Sequence, residues 1–346
     1  MTGELANANG YQLCANAADK LTMSAIAEPS PSTRQPGAAP QIAQPVSLQV
    51  SQELDAAQRS GRLRQIDIPP CPSLLVQLRA AMASTEPDLN AVARIASNDV
   101  AMAATLLRQA NGPLHAGGQP LHSVGQAMNR LGLETTEALL TGFLLRHAIP
   151  VNHPRLQRFW ERAALRAAAL QFIVQRLPHA DPHADPQADA LSQLSQLSQM
   201  AYLYGLFSHV GQPVLLRCVR GYGSTLVEAA ARIDRPFIAT ENANHRTDHA
   251  VVGALVAKVW HVAPTVVAAI RLHHDLEMLG SAQVEPDIQT LIAAGLVAEN
   301  RIAQREGMAQ DADWTSHGAS ALNWLGLTAD DLSDWDEELQ ATLDAV

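Results

Sequence analysis

Aromatic residues make up only 4% of this 346-residue chain although 47% of it is hydrophobic, so a core must be built mainly from Ala, Leu, Val and Ile. Such a core favours packed helices. Cysteine is scarce. Cys14, Cys71 and Cys218 are odd in number, widely separated and outside any CxxC spacing, which excludes a disulfide framework and a zinc ribbon and fits a reducing cytoplasm. Lysine is almost absent, with Lys20 and Lys258 alone beside many arginines; this bias carries no functional weight. A net charge of −10 and a pI near 5.7 argue against a grip on phosphate backbones, so nucleic acid is not an expected ligand. No run approaches the roughly 18 apolar residues of a membrane span, and the N-terminus lacks a basic segment followed by an apolar one. No membrane partner is expected.

Residues 1–64 are rich in Ala, Gln, Ser and Pro, and Pro29, Pro31, Pro36, Pro40 and Pro45 recur too often for a helix, so this part is expected to be a disordered leader. Within it, Val50 to Arg62 can form a helix with Leu54 and Ala57 on one face, but one too short to stand alone. A chain starting near residue 62 is therefore expected to keep its full stability.

From Ile68-Pro-Pro-Cys-Pro the character changes, because Leu74, Leu75, Leu78 and Met82 recur at helical spacing. Asp88, Asn98 or Asp99, and Ser123 are the expected N-caps of successive short helices, and Gly132 closes one of them. A second block opens near Arg155, with an apolar stripe through Phe159, Ala163, Leu165, Leu170, Ile173 and Val174. A biased insert at 178–199, repeating Ala-Asp-Pro and then Leu-Ser-Gln, reads as a surface excursion, its first part a loop and its second a candidate helical lead-in whose leucines drift around the helix. Helices are expected at Met200 to Phe207, Val214 to Val219, Thr225 to Ala231, Asp248 to Trp260, Pro264 to His273 and Ile288 to Ala303, with Pro264 in a first turn. No period-2 strand pattern appears. The fold class is all-α: two packed helical subdomains at 65–150 and 151–305, then a helical appendage at 306–346.

Chemistry, if present, would gather around His209, His245, His249, His273 and His274. His245 and His249 have the i, i+4 spacing of two ligands on one helix face. The helix, however, is expected to begin at Thr247 or Asp248, which removes His245 from that face. P-loop, Gly-x-Gly-x-x-Gly and Gly-x-Ser-x-Gly patterns are missing.

Five segments, in order, resemble the HDOD family. They are Ile68-Pro-Pro-Cys-Pro-Ser-Leu with Ile95 to Gly112, Ser123 to Gly132, Tyr204-Gly-Leu-Phe-Ser-His-Val-Gly211, Asp248-His-Ala-Val-Val-Gly253 and Ala269-Ile-Arg-Leu-His-His274. The resemblance spans roughly 65–305. It implies a helical relative of HD phosphohydrolases, whose imidazoles and carboxylates hold catalytic metals. Against that pattern the chain places Arg162 at the first His position, Ser208-His209 at the His-Asp pair and Asn300 at the final Asp. An arginine opposes a cation, and neither serine nor asparagine replaces a carboxylate.

With His209, His249, His273 and His274 these positions are read as relics of an HD site, giving a non-enzyme with no cofactor and no resident metal. The function implied is a cytoplasmic signalling module binding other signalling proteins. The alternatives are a residual metal-dependent phosphohydrolase, or a nucleotide sensor with Arg162 on a phosphate. Arg162 is expected to pair internally, with Glu241, which matches a family acidic position, or with Asp248. Asn98, Asp99, Arg108 and Asn111 match the family's first block, and are read as caps or as an interaction groove.

Overall fold

The computed structural model describes residues 44–346 except 60, 62, 84–86, 113–118, 178–188 and 233. The leader as far as residue 43 and the Ala-Asp-Pro part of the insert lie outside the described residues. Those described belong to one compact unit, helical throughout and without a strand.

Helix α1 (Val46–Arg59) corrects the expected leader. Its stripe of Val50 and Leu54 is fully covered, and it packs on a helix more than 200 residues later in the chain. Too short to be stable alone, it is held by charges from the second block. Lys258 meets Asp55 at 2.7 Å, Arg271 meets Glu53 at 3.0 Å, and Glu285 accepts from the free backbone N–H groups of Val46 and Ser47 at 3.1 and 3.0 Å.

The first block holds α2 (Ser73–Met82), α3 (Leu89–Ser97), α4 (Val100–Ala110), α5 (Val124–Leu131) and α6 (Leu133–Ala148). Asp88, Asp99 and Ser123 cap α3, α4 and α5 as their positions predict, each accepting from the first turn. Gly132, at φ 80°, makes the break between α5 and α6 in the left-handed region that a side chain would resist. The Ile68-Pro-Pro-Cys-Pro segment is fixed by Trp260, whose indole N–H donates to the Pro69 carbonyl at 3.0 Å.

The second block begins with α7 (Phe159–Gln175) and α8 (Asp189–Phe207), which lie against each other along their length. Their approach is close because residue 205 is glycine: a Cβ there would fall 2.6 Å from the Ala167 backbone. The Leu-Ser-Gln repeat forms the start of α8, in keeping with its reading as a helical lead-in. Next come α9 (Gly211–Cys218), α10 (Tyr222–Ala231), α11 (Phe237–His245), α12 (His249–Val259), α13 (Pro264–Leu272) and α14 (Pro286–Arg305). Asp248 caps α12, and His245 ends α11, so the two histidines four apart sit on different helices. Helices α15 (Ala312–Leu325), α16 (Ala329–Asp334) and α17 (Asp336–Asp344) close the chain. Helix α15 packs on α14 and α17 on α7, so this tail adds to the same core.

Candidate functional site

Three helix ends deliver four imidazoles to one place. His249 opens α12 and is wholly buried; its Nδ1 lies 2.6 Å from the Glu241 carboxylate on α11, which also accepts the Tyr222 hydroxyl. Gly211 lets the start of α9 reach this point, since a Cβ on it would fall 2.1 Å from the His249 carbonyl oxygen. His273 and His274 follow α13. The first places Nδ1 2.7 Å from the Ile270 carbonyl, the second 2.6 Å from Asp313 on α15. His209, in the turn after α8, stacks on His249 with ring centroids 4.9 Å apart. One potential ligand atom from each of His209, His249 and His273 lies within 4.8 Å of the others. Residues read as relics from the sequence therefore form a converging donor set. Imidazoles fit a single ion of the zinc class, whereas an oxygen-seeking ion finds no free carboxylate among them.

The nearest fixed charges come from α7 and α14. Arg166, 6% exposed in the alanine-rich stretch of α7, forms an ion pair with Glu299 and donates to the Gly205 carbonyl at 3.2 Å. Glu299 also faces His209 Nε2 at 3.3 Å. Burial and the adjacent Arg166 push the His209 pKa down to about 3, keeping the ring neutral. Burial opposes ionisation of Glu299, but Arg166 and His209 overcome it and hold the carboxyl well below its ordinary value. His273 is also pushed far down, by burial and the neighbouring imidazoles. For His274 burial acts downward, yet the Asp313 carboxylate prevails and its pKa is raised.

The expected partners of Arg162 are corrected. Glu241 is committed to His249 and Asp248 to capping α12, whereas Arg162 faces Glu306 at 3.5 Å and Glu299 at 3.9 Å with 32% of its side chain exposed. The buried arginine is Arg166, one turn further along. Ser208 is buried and donates to the Gly205 carbonyl at 3.5 Å. Asn300 is buried on α14, its Oδ1 without a hydrogen-bond partner among the described residues. Sequence reasoning missed Arg166, Glu299 and Asp313. The available signals were a lone arginine among Ala163 to Ala169 and the carboxylate next to Asn300.

The first-block candidates lie elsewhere. Asp99 caps α4, and the Asn111 amide exchanges two hydrogen bonds, at 3.1 and 2.8 Å, with the Leu121 backbone. Asn98 ends α3 and helps line a surface groove of about 580 Å³ with Gln77, Ala81, Arg94 and Ile95. Arg108 is exposed, and its charge acts on Tyr202.

These shifts set a pH dependence. The unfolded chain protonates His209 and His273 near pH 6.5 while the folded chain does not, so stability is full above that pH and falls as pH drops toward 3. Each ring can remove at most about 1.4 kcal/mol per pH unit in that window. Below pH 4.5 Glu299 adds to the loss, because its depressed pKa contributes stability only while it is ionised. Urea midpoints measured from pH 7 to 4 should fall steadily; a flat profile would contradict the buried neutral rings.

A family model described as the HDOD domain matches residues 68–276. The chain belongs to the HDOD family. Glu299 and Asp313 lie beyond the matched segment. Among solved structures, an HDOD domain protein of unknown function from Geobacter sulfurreducens is 17% identical, with a TM-score of 0.55 covering 85% of this chain and 98% of that one. A Shewanella amazonensis SB2B protein provisionally named a phosphohydrolase is 18% identical, with a TM-score of 0.58 over 86% and 97% of the two chains. A Marinobacter aquaeolei VT8 protein provisionally named a signal transduction protein is 19% identical, with a TM-score of 0.59 over 86% and 66%. At these identities the likeness is one of fold alone. An uncharacterized protein of Treponema pallidum (strain Nichols) is 22% identical over 230 residues, 66% of this HDOD chain, which spans only 42% of that relative's length. Among the described residues no helix is long and apolar enough to cross a membrane.

Proposed function

We propose that this HDOD protein is a non-catalytic regulatory module of bacterial signalling that acts through contact with other proteins, its HD-type hydrolytic site being degenerate. The state of the carboxylates carries this reading. Glu241 accepts from His249 and Tyr222, Asp313 from His274, and Glu299 faces Arg166. A hydrolytic pair of ions draws on carboxylates as ligands, to balance charge and to position water. Here all three are committed to side chains, and a permanent guanidinium charge stands beside His209. The sensor reading is disfavoured because Arg162 already faces two carboxylates, which oppose a phosphate.

The partner surface is assigned to the first block. There Val76, Leu89 and Val100 leave half or more of their area in water, and Arg108 and Asn98 are exposed nearby in sequence. Isolated apolar side chains are ordinary on surfaces, but three in one small helical block beside a groove favour a protein contact. The partners are taken to be cytoplasmic signalling proteins, a location that suits the free thiols of Cys71 and Cys218.

Cross-linking in the native cell tests this. Arg108→Ala should lose the recovered partner while its melting temperature stays within about the ±0.5 kcal/mol equivalent of a surface change. Unchanged recovery in Arg108→Ala would move the surface elsewhere.

A further inference from the structure

The seat of α1 specifies more of its occupant than an apolar strip alone would. At about 3.6 residues per turn Val50 and Leu54 form one stripe, with Glu53 on one side of it and Asp55 on the other. The second block answers each feature. Arg271 on α13 meets Glu53 at 3.0 Å and Lys258 on α12 meets Asp55 at 2.7 Å, so a cation stands on either flank of the buried stripe. Glu285 receives the positive end of the helix: its carboxylate accepts from the Val46 and Ser47 backbone N–H groups and, at 2.8 Å, from the Ser47 hydroxyl. Face, direction and flanking charges are all set, as in grooves that receive amphipathic helices.

Two observations make the occupant exchangeable. Helix α1 precedes residue 68, where the family match begins, and Val50 and Leu54 are its only fully covered residues. Its 14 residues are marginal as a free helix, so it folds on docking and unfolds on leaving. The second observation is Lys258. Only 26% of its side chain is in water, and the ammonium donates to the Ser51 carbonyl and the Asp55 carboxylate, each at 2.7 Å. Both lie on α1, and among the described residues the ammonium has no partner elsewhere. Without α1, Arg271 would keep only Asp275, at 3.5 Å. These are cations placed to meet carboxylates carried by a helix.

We propose that this face of α12 and α13 is a second partner surface, that the partner presents an amphipathic helix with apolar residues at i and i+4 and carboxylates at i+3 and i+5, and that α1 is the resident competitor which such a helix displaces. The proposal does not depend on the first-block surface. Tethered α1 competes at an effective concentration on the order of millimolar. A partner's apparent affinity is reduced to the fraction of chains whose α1 is released, so weakening α1 strengthens binding in trans. A second copy of this chain offers only the contacts that α1 already makes, and below millimolar concentration the tethered helix wins.

The test follows a fluorescein-labelled peptide of residues 44–60 by anisotropy as full-length chains are added. Leu54→Ala in the chain should bind the peptide at least tenfold more tightly than the parent does, and saturating peptide should raise its melting temperature toward the parent value. Leu54→Asp, which puts a charge into the stripe, gives a second means of release. An alanine- and glutamine-based peptide carrying only the counterparts of Val50, Glu53, Leu54 and Asp55 should compete, and the 44–60 peptide with Leu54→Ala should not. Adding Lys258→Glu to the Leu54→Ala chain should weaken binding at least tenfold, and a peptide with Asp55→Lys should recover it. Arg108→Ala should leave peptide binding unchanged, which separates this seat from the first-block surface. Absence of binding to both Leu54→Ala and Leu54→Asp chains would overturn the proposal, as would equal binding of the Leu54→Ala peptide. Concentration-dependent dimers of the parent at micromolar chain, seen by light scattering and dissolved by the peptide, would also overturn it by giving the seat to a second copy.

Discussion

Replacing Arg166 by methionine is expected to lower the stability of the folded chain by about 3–5 kcal/mol, the usual cost of removing one member of a buried ion pair. The cause is the partner left behind. Glu299 would keep its place beside His209 without the guanidinium that holds its carboxyl ionised, and would have to take up a proton or remain charged in the core. Arg162→Met should cost much less, about 0–1 kcal/mol, because its contacts at 3.5 and 3.9 Å are long and a third of its side chain is in water. Exchanging both partners, as Arg166→Met with Glu299→Leu, should recover most of the loss, since packed apolar groups can replace a buried pair at little net cost. Chemical denaturation of the four chains gives the coupling directly. A loss under about 1 kcal/mol for Arg166→Met would mean that Glu299 has another counter-charge.

The second large effect concerns α1. Leu54 is completely buried, so Leu54→Ala should cost about 2–5 kcal/mol. Deletion up to residue 60 should lower the melting temperature by several degrees, because it uncovers the faces of α12 and α13 beneath Val50 and Leu54 and strips Lys258, Arg271 and Glu285 of partners. Deletion up to residue 43 leaves all of these contacts in place. Melting curves of the two truncations against the parent separate the cases, and identical curves for all three would contradict the docking of α1.

What could be read in the sequence was local. Asp88, Asp99 and Ser123 were identifiable as caps, and Pro264 as a first-turn residue, because capping depends on residues within a few positions. Helix α11 was not foreseen. Its Thr240, Asn242 and Asn244 are weak helix formers without an apolar period, and what fixes it is the distant pairing of Glu241 with Tyr222 and His249. The same limit applies to the site. The histidines could be nominated from spacing and family resemblance, but Arg166, Glu299 and Asp313 meet them only through helix packing across separations of up to 90 residues. Arg162 illustrates the point: one helical turn separates a partly exposed arginine from a buried one, and only burial tells them apart. Helix α1 failed for the opposite reason, since its stripe of Val50 and Leu54 was visible but its support came from Lys258, Arg271 and Glu285 at the far end of the chain.

The central claim is that this HDOD pocket no longer hydrolyses phosphate esters, and phosphate release tests it most directly. The full chain, incubated with Mn²⁺, Fe²⁺, Zn²⁺ or Mg²⁺, is offered nucleoside triphosphates and cyclic dinucleotides over a long single incubation at high enzyme concentration. The account predicts product formation indistinguishable from a His249→Ala control with every ion, whether or not an ion is bound. Turnover by the parent chain that disappears in His249→Ala would contradict it.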